Sequence, residues 1–470
     1  MPGGVGKNKG ASTGSVHQKS RHVKAKKQKK RFMRAKDPIQ AVFMWGIQHS
    51  INEIMLQPEP SLLLEEDFKA FSKIRVENQH YSKEYLPGHF KFKEYCPIVF
   101  HDLRKRFKID DYDYMSSLTQ HAHLAMDNPG RSGSTFFVTS DKKLIIKSLS
   151  SEEVALLHQI LQPYHAHIVT QEGQTLLPQY LGMYRLTVNS AETYWIVMRN
   201  ILSHKYKTHL KFDLKGSTVD RAASEKEKAK IRPTLKDNDF IQMERKIMIG
   251  DASKASFLSI LESDVGLLEK LNLMDYSLLV GITDFGAAPT DSDDEEWLDD
   301  DDVDFSGDEL REDSPTSPLP DDMGKSNVEG EPTSPVPPTG ASPPKAEELV
   351  VIKEDEVIEK EPSGSPTGAA SPVYRPILVN GEKEVVQAKA DGYYPIIDKS
   401  VDIFAVLSLP ESRKEVYYIA IIDVLTNYGA RKRAAHAAKT MKHGHGAEIS
   451  TVKPGQYARR FLDFVHKSIQ

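Results

Sequence analysis

The sequence contains one cysteine, Cys96, in 470 residues. A single cysteine excludes an intramolecular disulfide framework and a zinc site built from clustered cysteines, and it fits a reducing compartment. No apolar run approaches the ~20 residues that span a bilayer, and no apolar segment follows the cationic N-terminus as it would in a signal peptide. We therefore expect a soluble intracellular protein that meets a membrane only from its surface.

Two segments have compositions that do not support a folded core. Residues 1–36 carry twelve Lys or Arg and no acid, and residues 287–390 carry 27 Asp or Glu against eight Lys or Arg. We expect a disordered basic arm and a disordered acidic insert, because such chains bury too little apolar surface to offset the entropy of folding. The arm has three interpretations: a solubilising leader, a nuclear-import signal or a contact with an anionic surface.

The acidic insert also contains six Ser-Pro steps, at Ser314, Ser317, Ser334, Ser342, Ser365 and Ser371. These steps are either sites of proline-directed phosphorylation or ordinary linker composition.

The remaining ranges, 37–286 and 391–470, show the helix and strand patterns of an ordered α/β domain that the insert interrupts. Helices are predicted in three ranges: 41–55, 150–161 after a Ser150-x-x-Glu153 capping box, and about 253–271. Strands are predicted in three further ranges, 193–202, 278–282 and 416–425, and a β-hairpin is predicted at 136–147.

A glycine-containing stretch, Gly130-Arg-Ser-Gly133-Ser134, leads into the predicted hairpin, which ends at Lys147. Glycines let backbone N–H groups approach an anion, and a lysine on an adjacent strand can contact the same phosphates. The alternative is an ordinary turn followed by a solvated lysine. No Walker A sequence is present, so a P-loop fold is not expected.

Three later stretches place charged groups next to predicted strands. Residues 211–223 offer the cations Lys211, Lys215 and Arg221, with Asp213 and Asp220 able to orient them or a metal. The alternative for this stretch is a mixed-charge surface loop. Asp275 lies at a helix-to-strand junction, where a carboxylate can accept a hydroxyl proton or hold Mg²⁺; the alternative is that it stabilises a turn.

The third of these stretches is Ile421-Ile422-Asp423, in which an apolar strand carries a carboxylate at its C-terminal end, the usual ligand edge of open α/β sheets. Asp284-Phe285-Gly286 spells the metal-binding tripeptide of protein kinases, but it runs into the acidic insert. Neither His-Arg-Asp nor Ala-Pro-Glu occurs in the sequence, so we prefer Asp423 as the metal ligand.

Taken together, DLKGST, MDYSLLVG and the Ile-Ile-Asp strand resemble the phosphatidylinositol phosphate kinases. MWGIQHSINE, RFKFKEYCP and KRAAHAAKTMKHGHGAEIST are similar to the type II subfamily, the phosphatidylinositol 5-phosphate 4-kinases. The resemblance implies a two-lobed α/β (α+β) kinase fold, distantly related to protein kinases. Its N-lobe would span about 37–198, and its C-lobe about 203–286 and 391–470. It also implies a homodimer joined through the N-lobes, with a flat basic face on the bilayer.

The resemblance further implies site residues. Nucleotide binding is expected at Gly130, Gly133, Lys147, Arg199, Asn200, Ile201, Lys211 and Lys215. Catalysis is expected to need Lys147, Asp275 as the catalytic carboxylate and Asp423 as the Mg²⁺ ligand. Substrate binding is expected at Arg221, Arg431, Lys432, Arg433, Ala435 and Lys439.

Within 429–445, five Lys or Arg and no acid predict contact with anionic headgroups; a solvated basic loop is the alternative. Relatives that act on the 4-phosphate lipid carry an acid where Ala435 stands, so the alanine supports the 5-phosphate substrate. Type II relatives often read Thr-Arg-Asn-Val-Phe at the hinge. Here Met198-Arg-Asn-Ile-Leu202 lacks the aromatic ring, which favours ATP over GTP.

The expected function is transfer of the ATP γ-phosphate to the 4-hydroxyl of phosphatidylinositol 5-phosphate, with Mg²⁺, on anionic membranes. The alternatives are a phosphatidylinositol 4-phosphate 5-kinase, a low-turnover phosphoinositide sensor, a protein kinase and a nuclear scaffold that uses the charged tails. We expect no specific nucleic-acid binding. The expected location is the cytoplasm, peripherally at membranes, with the nucleus as the second expectation.

Overall fold

The computed structural model describes residues 35–58, 60, 62–77, 86–126, 133–286, 397–410, 413–429 and 452–470. Its helices are α1 (Pro38–Ile54), α2 (Pro97–Arg106), α3 (Asp111–Thr119), α4 (Ser151–Thr170), α5 (Glu225–Lys228), α6 (Asp237–Gln242), α7 (Asp251–Lys270) and α8 (Pro454–Ser468), with a 3₁₀ turn at Glu65–Phe68. No helix among these residues is long and apolar enough to cross a membrane.

Twelve strands form two sheets in the described ranges. The strands are β1 (Phe71–Val76), β2 (Phe90–Tyr95), β3 (Leu124–Met126), β4 (Phe136–Val138), β5 (Leu144–Leu149), β6 (Tyr180–Val188), β7 (Ala191–Arg199), β8 (Leu210–Leu214), β9 (Thr234–Lys236), β10 (Ser277–Asp284), β11 (Ala405–Leu407) and β12 (Glu415–Ile422). A seven-stranded sheet has the order β1-β2-β6-β7-β5-β4-β3, and a five-stranded sheet has the order β11-β12-β10-β8-β9.

This mixed architecture of two sheets with packed helices confirms the predicted α+β fold class. The helices at 41–55, 150–161 and 253–271, the hairpin and the two buried strands are all present. The Ser150–Glu153 capping box begins α4 as predicted. The strand predicted at 193–202 ends earlier, at Arg199, because the Asn200 side chain accepts a hydrogen bond from the Leu202 amide and turns the chain.

One part of the strand reasoning was wrong. Asp423 was expected at the C-terminal edge of an open α/β sheet, where parallel strands end together, but β12 pairs antiparallel with both β10 and β11. Asp423 reaches the site for a different reason. The end of β12 lies beside the start of β10, where Ile422 pairs with Ser277.

The register of the five-stranded sheet brings three chain segments to one edge. Leu214, at the end of β8, pairs with Leu278 near the start of β10, and the end of β12 lies on the other side of β10. The residues just beyond these strand ends, Lys215, Asp275 and Asp423, therefore gather at the same edge.

Helix α8 packs beneath this edge. The rings of Tyr457 and Phe461 lie 4.7 and 5.1 Å from the ring of Tyr276, and the Tyr457 hydroxyl donates to the Tyr276 carbonyl. Gly216 has φ +67°, and a Cβ there would lie 3.0 Å from the Arg460 carbonyl oxygen. The glycine thus allows both the turn after β8 and the close approach of α8.

Candidate active site

Asp423 is the carboxylate around which the candidate site is organised. Asp423 is exposed at the surface, but desolvation by the protein around it raises its pKa. The charges of Lys147 and Lys215 oppose that shift, and those of Asp213 and Asp275 add to it. Lys147 belongs to the seven-stranded sheet. Lys215, Asp213 and Asp275 lie, like Asp423, at the edge of the five-stranded sheet. Charged residues from both sheets therefore lie close enough to interact electrostatically, and we call the region between them the cleft.

Lys147 is held at the back of this cleft by α4. The residue is 9% exposed, and its Nζ lies 3.0 Å from Glu153 Oε1. The other carboxylate oxygen of Glu153 accepts the Ser150 amide at 2.8 Å as part of the helix cap. A single carboxylate thus begins α4 and fixes the direction of Lys147. The sequence analysis identified Glu153 only as a helix cap. Its contact with Lys147 could have been predicted by analogy with the lysine–glutamate ion pair of protein kinases.

Lys215 and Asp275 form an ion pair inside the cleft. The distance from Lys215 Nζ to Asp275 Oδ1 is 2.9 Å. Asp275 and Asp423 have φ values of +68° and +60°, in the left-handed region that residues other than glycine rarely adopt. Such strained conformations persist where the surrounding structure holds them, and they cluster at functional sites.

Arg221 reaches the same edge from the loop after β8. It is buried, and it contacts Asp213 Oδ1 at 3.0 Å through Nη2 and Asp237 Oδ2 at 2.7 Å through Nε. Burial alone would raise the pKa of Asp213, but Arg221 and Lys215 outweigh burial and hold that pKa below its usual range. Asp237 was not identified from the sequence, because its partners lie 16 to 22 residues earlier in the chain.

The predicted hinge residues lie between the two sheets. Arg199 Nε donates to Gln179 Oε1, and its Nη2 donates to the Phe107 carbonyl, both at 2.8 Å. Burial lowers the pKa of Arg199 to about 10. The Asn200 side-chain amide donates to the Lys142 carbonyl at 2.8 Å. The backbone amides of Arg199 and Asn200 also donate within the protein, to the carbonyls of Gln179 and Lys143.

The chain segment that follows the insert fastens this hinge. Asp402 accepts hydrogen bonds from Ser203 Oγ and lies 3.1 Å from His204 Nδ1. Ile201 and Leu202 pack against an apolar cluster that contains Ile397. The hinge is therefore supported by residues almost 200 positions later in the chain.

The remaining predicted residues are less closely tied to the cleft. Lys211 lies on β8 two residues before Asp213, hence on the same face of the strand. Gly133 has φ +68°, and among the described residues no atom lies within 4 Å of the position that a Cβ would take. Several predicted positions lie outside the described residues: Gly130, Arg431, Lys432, Arg433, Ala435 and Lys439.

The choice of Asp423 over Asp284 agrees with the sheet register. Asp284 ends β10 and pairs with Glu415 at the start of β12. It therefore lies at the opposite end of the same strand pair from Asp275 and Asp423, and its Oδ1 accepts the Gly286 amide.

Comparisons with known proteins find similarity over most of the chain. A family profile described as phosphatidylinositol-4-phosphate 5-kinase matches residues 117–468. Phosphatidylinositol 5-phosphate 4-kinase type-2 alpha of Mus musculus is 45% identical over 468 residues, covering 99% of this chain and 98% of that protein. The type-2 alpha protein of Homo sapiens is 45% identical over 465 residues, with the same coverage. The human type-2 beta protein is 44% identical over 441 residues, covering 93% of this chain and 92% of its own.

Proposed function

The chain belongs to the phosphatidylinositol-4-phosphate 5-kinase family of lipid kinases, and from this premise we propose that it phosphorylates the 4-hydroxyl of phosphatidylinositol 5-phosphate. The family implies ATP as the phosphate donor. The observation that carries the proposal is the common cleft of Lys147, Lys215, Asp275 and Asp423. The choice of lipid rests on the similar proteins, which are named 5-phosphate 4-kinases.

In the reaction, the bond between the β,γ-bridging oxygen and the γ-phosphorus of ATP breaks, and a bond forms from that phosphorus to the inositol 4-oxygen. Such transfers need in-line positioning and neutralised charge more than covalent help from the protein. Lys147 and Lys215 would bind the nucleotide phosphates. Asp275 would orient the 4-hydroxyl and accept its proton.

Asp423 would hold Mg²⁺, with Asp213 and Asp275 nearby. In the part of the chain that the structure describes, no three His, Cys, Asp or Glu side chains are grouped to hold a metal ion. Mg²⁺ does not need such a group, because one or two carboxylates, substrate phosphates and waters suffice. The Asp423 carboxylate is open to solvent and has Asp213 and Asp275 close enough to raise its pKa, so it fits this requirement. Bound Mg²⁺ would neutralise charge on the β- and γ-phosphates.

A cationic surface on the seven-stranded sheet supports peripheral membrane binding. Across β1, β2 and β6, Lys73 lies opposite Lys93, which lies opposite Arg185. In the next row, Arg75 lies opposite Lys91. Burial lowers the pKa of Lys93, and Arg185 and Lys73 lower it further. Arg185 also pairs with Glu192 at 3.5 Å, and Arg75 pairs with Glu77. Like charges directly opposite each other destabilise a sheet, so an anionic bilayer would relieve the repulsion that remains on this face.

Residues 429–445 would add to this attraction, at about 1 kcal/mol for each cation near the membrane. Because this attraction is electrostatic, salt should weaken binding to anionic vesicles. The corresponding location is the cytoplasm, with the enzyme at membrane surfaces, and the basic arm leaves the nucleus as the second location.

A homodimer joined through the N-lobes is part of the proposal. Strand β1 lies at the edge of the sheet among the described strands, and large apolar side chains are exposed on it and in the segment 55–64 between α1 and β1: Met55, Leu56, Leu62, Leu64 and Phe71. Exposed apolar residues beside an unpaired strand edge are suited to association with a second copy. Light scattering of Leu56→Asp/Leu64→Asp should then give a monomer, and an unchanged mass would contradict this interface.

The test of function uses γ-labelled ATP and vesicles of phosphatidylserine, phosphatidylcholine and 5% of one inositol monophosphate lipid, with generic protein substrates in parallel. We expect label in lipid alone. Lys147→Ala, Asp275→Ala and Asp423→Asn should each reduce turnover about 100-fold to 1,000-fold while circular dichroism shows a folded protein. Labelling of protein instead of lipid would refute the proposal.

Substrate choice is tested at Ala435, which lies outside the described residues. Ala435→Glu should shift the ratio of activities toward the 4-phosphate lipid, because the acid matches relatives that act on that lipid. The control is Ala438→Glu, a charge of the same sign in the same segment. An unchanged ratio in Ala435→Glu would remove this support for the 5-phosphate substrate.

A further inference from the structure

Asp237 is a buried carboxylate, outside the predicted site, that accepts hydrogen bonds from the cleft. It is the first residue of α6 and is fully buried. Its Oδ1 accepts the backbone amides of Lys215 and Gly216 at 2.9 and 2.8 Å, with the Ser217 amide at 3.4 Å. Its Oδ2 accepts Arg221 Nε at 2.7 Å.

Asp237 holds Lys215 through its backbone amide and Arg221 through its guanidinium group, and the cationic group of each residue contacts a carboxylate of the cleft. Lys215 Nζ contacts Asp275 Oδ1 at 2.9 Å, and Arg221 Nη2 contacts Asp213 Oδ1 at 3.0 Å. Lys215 is the expected contact to nucleotide phosphates, and Arg221 is the expected contact to the lipid phosphate. One buried carboxylate therefore fixes both the backbone of Lys215 and the guanidinium group of Arg221.

We propose that Asp237 is a positioning residue that aligns Lys215 for the nucleotide phosphates and Arg221 for the phosphate of the lipid headgroup. This inference rests on the proposed function. It predicts that the two phosphate-binding cations are coupled through Asp237, so that losing its charge affects catalysis beyond any effect on folding.

The chemistry of the side chain explains why an aspartate is required. An ionised carboxylate only accepts hydrogen bonds, and all four groups around Asp237 are donors. Asparagine has nearly the same shape, but its NH₂ group would face one set of these donors. A displacement of about 1 Å in a reacting geometry can cost about 100-fold in rate.

Asp239 provides a matched control on the same helix. It is 4% exposed, and it accepts the amides of Ala223 and Lys236 at 2.7 and 3.0 Å and pairs with Lys228 at 3.2 Å. It stabilises the same loop as Asp237, and its hydrogen bonds go to residues outside the cleft. If Asp237 were merely structural, Asp237→Asn and Asp239→Asn should have similar effects.

The experiment compares the full-length wild type, Asp237→Asn and Asp239→Asn on vesicles that contain phosphatidylinositol 5-phosphate, with thermal unfolding measured in parallel. We expect kcat/KM for the lipid to fall about 100-fold in Asp237→Asn and less than threefold in Asp239→Asn. Equal losses in the two folded variants would overturn the inference. A wild type inactive on every inositol lipid would instead overturn the proposed function on which it rests.

A double-mutant cycle with Arg221 distinguishes a positioning role of Asp237 from a purely structural role. If Asp237 acts partly through Arg221, Asp237→Asn should cost at least tenfold less in an Arg221→Ala background than in the wild type. The same cost in both backgrounds would overturn the inference. Should Asp237→Asn fail to fold, Asp237→Glu keeps the charge and moves it by one methylene. Activity of this folded variant within threefold of wild type would likewise overturn the inference.

Discussion

Glu153 shows how one side chain can serve two purposes at the scale of a residue. It caps α4 through one oxygen and pairs with Lys147 through the other. Lys147 is nearly buried, so its ammonium group needs this partner to stay in one orientation when no phosphate is bound. The position of Lys147 therefore depends on the position of the helix.

This dependence gives a prediction for Glu153→Gln. Glutamine can still accept the Ser150 amide, so α4 should keep its cap, while the charge that orients Lys147 is lost. We expect turnover to fall about 10-fold to 100-fold, with little change in the unfolding temperature. The control, Glu152→Gln, alters the exposed neighbour that lies in the same helical turn. Equal activities of Glu153→Gln and Glu152→Gln in steady-state lipid phosphorylation would contradict the role of Glu153.

A buried histidine predicts how stability depends on pH. Burial lowers the pKa of His123, although its hydrogen bond to the Leu118 carbonyl partly opposes the shift. The unfolded chain binds a proton near pH 6.5, whereas the folded protein resists protonation until a lower pH. Stability should therefore be highest above pH 6.5 and fall as the pH drops below it.

His123→Gln tests this sign, because glutamine does not titrate. Between pH 7.5 and 5.5, the free energy of unfolding in urea should fall more for the wild type than for His123→Gln. Exposed His89 offers the control, since His89→Gln should keep the pH dependence of the wild type. An identical pH dependence in His123→Gln and the wild type would contradict the prediction.

At the scale of elements, α8 packs against the sheet edge that carries Lys215, Asp275 and Asp423. Its rings pack on Tyr276, which directly follows Asp275, and its backbone lies against Gly216, which directly follows Lys215. The predicted catalytic pair is therefore supported from below by a helix about 180 residues away in sequence.

Substitutions of Gly216 and Gly266 are expected to have opposite effects on stability. In Gly216→Ala the added methyl group meets α8, and the residue must also keep φ +67°, so we expect a loss of about 2 kcal/mol or more in unfolding free energy. Gly266 lies within α7, and a Cβ there meets nothing within 4 Å. Gly266→Ala should therefore stabilise the protein by about 0.5–1 kcal/mol. Calorimetry showing no destabilisation of Gly216→Ala would contradict the account of α8.

The elements also show how far the sequence alone could lead. Hydrophobic periodicity predicted α1, α4, α7 and β12, because each buries one stripe or one strand of apolar residues. Family motifs predicted Lys147, Asp275 and Asp423, which meet in one cleft. Glu153 and Asp237 were missed as site residues, because their roles come from contacts that form only when separate elements pack. The antiparallel pairing of β12 was missed for the same reason, since strand order cannot be deduced from one strand's composition.

For the whole molecule, the ends of the acidic insert meet in one place. Phe285 and Ile397, on either side of the segment 287–396, belong to the same apolar cluster, and the Phe285 ring lies 5.0 Å from the Tyr206 ring. The two chain segments that flank residues 287–396 therefore pack in the same apolar cluster.

Replacing residues 287–396 with a Gly/Ser linker of about ten residues should raise the unfolding free energy by no more than about 2 kcal/mol, because each halving of loop length lowers the closure cost by only about 0.6 kcal/mol. Lipid phosphorylation should be retained as well. The comparison needs urea titrations of both proteins. A loss of cooperative unfolding in the shortened chain would show that the insert is part of the folded body.

The most direct test of the central claim is to identify the hydroxyl that receives the phosphate. Vesicles containing either phosphatidylinositol 5-phosphate or phosphatidylinositol 4-phosphate are incubated with labelled ATP, and the deacylated product is analysed for the position of the label. The account predicts label at the 4-hydroxyl of the 5-phosphate lipid, and its loss in Asp423→Asn. Label confined to the 5-hydroxyl of the 4-phosphate lipid, or equal labelling by Asp423→Asn, would contradict it.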